Sequence, residues 1–277
     1  LVTTTGATLC GVLAAKLAYV LLMADTTLAA YGADALWFTD ADSFSVFGGA
    51  AGAVLSACVT AKLLGMRPAA MLDRFIPSLA LGLTFLRLSE GELGTLGVGA
   101  YVEPGGLWAR FPFAVGNAYG EYYLAVFALE ALFALLCAVA LWRRGREWSA
   151  GLKAEIGLFL LALPQIFCES LRARCMKWGF VRVEQLLCCL LLLGLLGHAC
   201  NRAREWRRLR FLPLALGVLA VGGIGGLEYA MDKTDLPIWA CYGLFWVMLG
   251  LLAGAEIAAV RQREGASAVT QTAEVVG

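Results

Sequence analysis

Side chains that ionise or hydrogen-bond strongly stand in otherwise apolar stretches, among them Lys16, Arg87, Glu130, Gln165, Glu169 and Glu184, with Glu90 and Glu92 close behind Arg87. Such groups are costly in a bilayer, and are kept there by function or by pairing with an opposite charge. Arg87, with two acidic neighbours, suits a lipid phosphate at headgroup depth, because a planar guanidinium gives two parallel bonds to a phosphate. Snorkelling of its long stem is the plainer alternative, and Lys16 and Glu130 could neutralise one another across a bundle. Gly48, Gly49, Ala50, Ala51 and Gly52 open an apolar run; small residues there let two helix backbones approach, which outweighs substrate contact as an explanation. The cluster GGIGG at 222–226 has no strand before it, so it is not a nucleotide loop. His198 is the one histidine, which removes most metal sites and histidine-based triads; it is expected at a helix end near the interface. The nine cysteines fall mostly inside apolar runs, where a thiol acts as a small hydrophobe, so neither a disulfide framework nor a metal or cofactor is expected.

The elements that must position these groups are membrane helices. The chain is 60% hydrophobic and 16% charged, with mean hydropathy +0.75, more apolar surface than a soluble core of 277 residues can hide. A net charge of +1 argues against a nucleic-acid partner, since phosphate binding needs a concentrated basic face and the basic residues here are matched by acidic ones. Apolar stretches that approach the roughly 30 Å of hydrocarbon cover about 6–24, 46–64, 75–89, 121–142, 155–171, 183–200, 211–229 and 238–258. The sequence therefore predicts an all-α polytopic bundle of about eight membrane helices. The third and fifth are short and interrupted by Pro77 and Pro164, so either could be tilted, kinked or partly re-entrant.

Alternating the loops collects Lys62, Arg67, Arg74, Arg143, Arg144, Arg146, Lys153, Arg202, Arg204, Arg207, Arg208, Arg210, Arg261 and Arg263 on one side, which marks it as cytoplasmic. The loop with Arg172, Arg174, Lys177 and Arg182 is the exception, basic yet on the other side. A glycine- and aromatic-rich segment from about 90 to 120, with Tyr101, Trp108, Phe111, Phe113 and Tyr119, reads as an external cap. Trp142, Trp148, Trp178, Trp206 and Trp239 flank the spans as interface anchors. The expected division is 1–200, a further two-helix membrane hairpin over 201–260, and a flexible tail over 261–277. The chain opens without Met or a charged leader, so an upstream continuation is expected.

The succession SVFGGAAGAVLSA, MLDRFIPSLALGLTFLRLSEGELG, ALEALFALL, LPQIFCESLRA and VRVEQLLCCLLLLG resembles the prolipoprotein diacylglyceryl transferase family over roughly residues 10–200. That family shows His-Gly-Gly opening a helix, a signature Gly-Arg-x-Gly-Asn-Phe-x-Asn-Gly-Glu, a Tyr-Glu, an Arg-Phe-x-x-Glu-x-x-Arg and a Met-Gly-Gln. Carried over, Arg87 stands for the signature arginine, Glu92 for its glutamate, Glu130 for that of Tyr-Glu, and Glu169 with Arg172 for the later motif. Gly48, Gly49 and Gln185 also match. Phe47 stands where the family has histidine, Gln165 where it has a second arginine, and Leu161 where a tyrosine is usual.

The resemblance implies transfer of diacylglyceryl from phosphatidylglycerol to the lipobox cysteine thiol of a prolipoprotein signal peptide, in the bacterial inner membrane. It gives Arg87, Gly48, Gly49, Glu130, Gln165 and Arg172 to the phospholipid and Glu92 or Glu169 to the thiol proton. Phe47 and Gln165 motivate the runner-up, a catalytically inactive binder of lipid or signal peptide on the same scaffold. A small-solute transporter ranks last, since no inverted repeat is visible.

Overall fold

The computed structural model describes residues 2–37, 40, 43–91, 97–144, 148–202 and 211–276. Nine α-helices are present among them, eight long and apolar enough to cross a membrane. The chain folds as two compact units, Leu1–Met176 with Arg182–Gln185, and Lys177–Val181 with Leu186–Gly277.

In the first unit α1 (Val2–Leu22) leads through the short α2 (Ala24–Tyr31) to α3 (Val46–Leu63). Ser45 is the N-cap of α3: its hydroxyl accepts from the Gly48 N–H at 3.0 Å, which satisfies one of the orphan donors of a helix start. The small residues expected to permit close approach do so. A Cβ on Gly48 would overlap Ala18 and one on Gly52 would overlap Ala14, so α3 lies backbone-to-backbone on α1.

The two proline-containing helices are longer than the sequence suggests. α4 runs Pro68–Glu90 and α6 runs Leu152–Leu171, each continuous through its proline. Pro68 sits at the first helical position of α4, where a missing N–H costs nothing. Asp73, one turn further on, accepts from Gly151 N–H at 2.6 Å and Ala154 N–H at 2.8 Å. That caps the start of α6 and accounts for a charged first turn that apolar-run counting left out. Pro77 and Pro164 thus remove single backbone bonds without ending a span. α5 (Val126–Arg144) packs between them around Ile76, Ala80, Cys137, Ala138, Leu141 and Ala154. Between α4 and α5 lies the cap, whose described part holds a small antiparallel sheet of order β1-β3-β2: β1 (Tyr101–Val102), β2 (Ala114–Gly116) and β3 (Tyr122–Leu124).

α7 (Val183–Arg202) begins in the first unit and continues in the second, past the hairpin of β4 (Lys177–Trp178) and β5 (Val181–Arg182). In the second unit α8 (Leu212–Lys233) and α9 (Ile238–Val276) pack on one another, with Leu196, Ala199 and Cys200 of α7 against Ala255 and Ala259 of α9. The apolar span of α9 closes at Arg261, and its helix carries on through the segment expected as a flexible tail; 262–276 contains no proline and only one glycine.

Candidate functional site

Three helices of the first unit bring their charged residues to one end, the end away from the basic loops at Lys62 and Arg67. Arg87 lies in the last turn of α4, Glu130 in the second turn of α5, and Gln165, Glu169 and Arg172 at the end of α6, with Arg172 its C-cap. Arg87 Nη1 meets Glu90 Oε1 at 2.6 Å and its Nε lies 3.3 Å from Glu130 Oε2. Arg172 donates through Nη2 to Glu90 Oε2 at 2.7 Å and to Glu130 Oε2, and through Nε to Glu130 Oε1 at 3.1 Å. Its Nε is also 3.7 Å from Glu169 Oε1. Gln165 closes the group, its amide donating to Glu130 Oε1 at 2.8 Å and Glu169 Oε1 at 2.9 Å. Arg87, Glu130 and Glu169 are each under 5% exposed, so these charges are held by one another rather than by water.

Two guanidinium groups thus share three carboxylates. Arg172 stands just beyond the apolar span; burial opposes its charge, but Glu130, Glu90 and Glu169 outweigh that and raise its pKa well above the ordinary guanidinium value. The chain covers this group with backbone. Gly97, at φ +68°, passes its carbonyl to Phe127 N–H at 2.8 Å, and Val98 accepts from Ala173 N–H at 3.0 Å. A Cβ on Gly97 would stand 2.6 Å from Glu90 Oε2, and one on Gly99 2.6 Å from the Leu171 carbonyl, so only glycine permits so close a cover.

A second polar group adjoins the start of α3. Glu184, in the first turn of α7, accepts through Oε1 from Ser45 Oγ at 2.7 Å and Phe47 N–H at 3.3 Å. Gln185 donates to the Ile166 carbonyl at 3.1 Å. Arg182 Nη1 donates to the carbonyls of Glu169 at 2.6 Å and Arg172 at 2.9 Å and contacts Cys175 Sγ at 3.1 Å. Two of the four basic residues on the unexpected side, Arg172 and Arg182, are thus committed to protein partners and do not act as free loop charge. Lys16 does not answer Glu130. Its Nζ donates to Ser43 Oγ at 3.0 Å and lies 5.2 Å from the Phe44 ring centroid, while Glu130 is taken by Arg87, Arg172 and Gln165.

Of the residues singled out from the sequence, Arg87, Glu130, Gln165, Glu169 and Arg172 are brought into one group. Gly48 and Gly49 lie on the α3 face toward α1, and Glu92 lies outside the described residues. Sequence reasoning missed Ser45, Arg182 and Gly97. Ser45 carried a signal, a serine directly before a helix start, and Arg182 carried one as a charge on the wrong side. Gly97 carried none, because its need for a positive φ depends on where Glu90 ends up. Among the described residues no group of His, Cys, Asp or Glu is arranged to hold a metal ion.

Chemically, the group offers planar cations of a kind that bind an anionic group and carboxylates able to take a proton, at one end of three apolar helices. A family model described as prolipoprotein diacylglyceryl transferase matches residues 3–200, all of this site included. Comparison with curated proteins and with solved structures finds no match.

Proposed function

Because the chain is a multi-pass membrane protein that belongs to the prolipoprotein diacylglyceryl transferase family, we propose that it transfers diacylglyceryl from phosphatidylglycerol to the lipobox cysteine thiol of a prolipoprotein signal peptide, in the bacterial inner membrane. The observation that carries this reading is the meeting of Arg87 and Arg172 on Glu130 at one end of the bundle. Charge builds on the phosphate as the ester carbon leaves it, and a guanidinium fixed in advance strengthens its bonds as that happens. In this scheme Arg87 and Arg172 exchange part of their carboxylate contacts for the phosphate. Glu130 and Gln165 hold them in place, and Gly48 and Gly49 keep the start of α3 close to α1. The thiol, near pKa 8.5 when free, gives its proton to a carboxylate, for which Glu169 and Glu92 are the residues carried from the sequence.

The test is incorporation of labelled diacylglycerol from phosphatidylglycerol into a lipobox peptide by purified protein. Arg87→Ala is expected to lower the rate by about 100-fold or more, the scale of losing one fixed transition-state donor. Transfer indifferent to Arg87 would remove the reading.

A catalytically inactive lipid or signal-peptide binder is the second reading, and a specific observation favours it. Both guanidinium groups are already neutralised by carboxylates, and Gln165 adds no charge where the family has arginine. Phe47→His with Gln165→Arg separates the two. Gain of transfer marks an enzyme whose site has been retuned, whereas tight lipid binding with no gain marks the binder.

A further inference from the structure

The start of α7 sends a carboxylate to the start of α3 that the transfer scheme leaves idle. With Gln185 on the family's glutamine, Glu184 falls on the glycine of Met-Gly-Gln, and Phe47 on the histidine of His-Gly-Gly. Position 47 has lost its proton-accepting side chain, position 184 has gained one, and Glu184 is hydrogen-bonded to the backbone N–H of Phe47 at 3.3 Å. Two departures that are 137 residues apart in sequence therefore meet in space.

We propose that Glu184 is the catalytic base that takes the proton of the acceptor thiol, a refinement that rests on the transferase reading. Among the described residues Glu169 is likewise held only through Oε1, by Gln165 at 2.9 Å, but that carboxylate faces the Arg172 guanidinium at 3.7 Å, an opposite charge that competes with a proton. Glu184 is held through Oε1 alone, by Ser45 Oγ and Phe47 N–H, and among the described residues its Oε2 takes no hydrogen bond. No guanidinium is ion-paired to it among the described residues. The charged groups that face it are Glu169 from α6 and Arg87 from α4, with Ser45 and the Phe47 amide from α3 bonded to it. The S–H proton passes to Glu184 Oε2 and the sulfur attacks the terminal glycerol carbon of the diacylglyceryl group. The S–C bond forms as the C–O bond breaks, and the electron pair leaves on the phosphate oxygen of glycerol phosphate. The proton is then released from Glu184 to water.

Glu184→Gln decides between a base and a tie between helices, since an amide oxygen still accepts from Ser45 and Phe47 but takes no proton. The full-length protein is assayed with phosphatidylglycerol and a lipobox peptide across roughly pH 6 to 9, the range around a thiol pKa of about 8.5. The expected result is a loss of about 100-fold or more near pH 7 with the unfolding midpoint kept, and a residual rate that climbs with pH until the thiol ionises by itself. A Glu184→Gln rate within a few-fold of wild type, or a loss that higher pH does not recover, overturns the proposal. Should that variant fail to fold, the wild-type profile carries the test: a plateau below the thiol pKa is expected, and a rate that only tracks thiol ionisation overturns it. No transfer by wild type removes the transferase reading and this one together, whereas transfer that survives Glu184→Gln removes this one alone.

Discussion

Glu130 is where both guanidinium groups meet, and it is buried, so its charge has no solvent to fall back on. Removing one partner of a buried ion pair strands the other at about 3–5 kcal/mol. Glu130→Gln is therefore expected to lower the unfolding midpoint in detergent clearly, and to do so more than Glu121→Gln on the exposed cap. Gly97 is the other sensitive position. Its positive φ and the 2.6 Å approach to Glu90 leave an added methyl no room. Gly97→Ala is expected to destabilise by more than about 1 kcal/mol, and hydrogen exchange at the Phe127 and Ala173 amides, which bond this segment, should speed up with it.

α3 and α1 meet where an added Cβ would strike alanine Cβ atoms and backbone, whereas in α8 the Cβ of Gly217 or Gly223 would strike only the ends of Leu196 or Met248 and that of Gly225 nothing. Gly52→Leu would force its side chain into Ala14 and the Cys10 carbonyl, with an expected cost of about 1–3 kcal/mol as overpacking, read by thermal unfolding. Gly225→Ala meets nothing within 4 Å, so the same measurement should show no loss. The β2–β3 hairpin of the cap has its own pH dependence. Glu121 accepts from Asn117 at 2.8 Å and Tyr123 at 2.9 Å, and these bonds hold its carboxyl below the usual carboxylate range. A depressed folded pKa gives support that is present above the unfolded value and is lost as pH falls through the folded one. Amide protection around Asn117–Glu121 should accordingly decline on acidification below the ordinary carboxylate pKa, and Glu121→Gln should abolish that dependence.

For the molecule in its membrane, the basic loops and the cap must face opposite sides. Tyr119 is 89% exposed in the cap and Lys62 is exposed at the end of α3. A membrane-impermeant maleimide applied to intact cells should label Tyr119→Cys above the background of the native cysteines, and label Lys62→Cys only after permeabilisation. Equal labelling of both would contradict the orientation.

Hydropathy alone was enough to number the spans, because a bilayer demands long apolar runs whatever the partners are. Arg87, Glu130, Glu169 and Arg172 were likewise legible as candidates, since charges in or beside such runs stand out. The early start of α6 was not legible because its first turn is capped by Asp73 of α4, a long-range contact that no local window contains. The pairing of Lys16 was misjudged for the same reason, as every cation in a row of apolar helices has several acids within plausible reach. Which acid it meets is fixed by helix rotation and neighbour order. Only tertiary structure decided that one end of three helices gathers two guanidinium groups over three carboxylates, and that Glu184 arrives beside Phe47, because side-chain direction depends on packing while residue type does not.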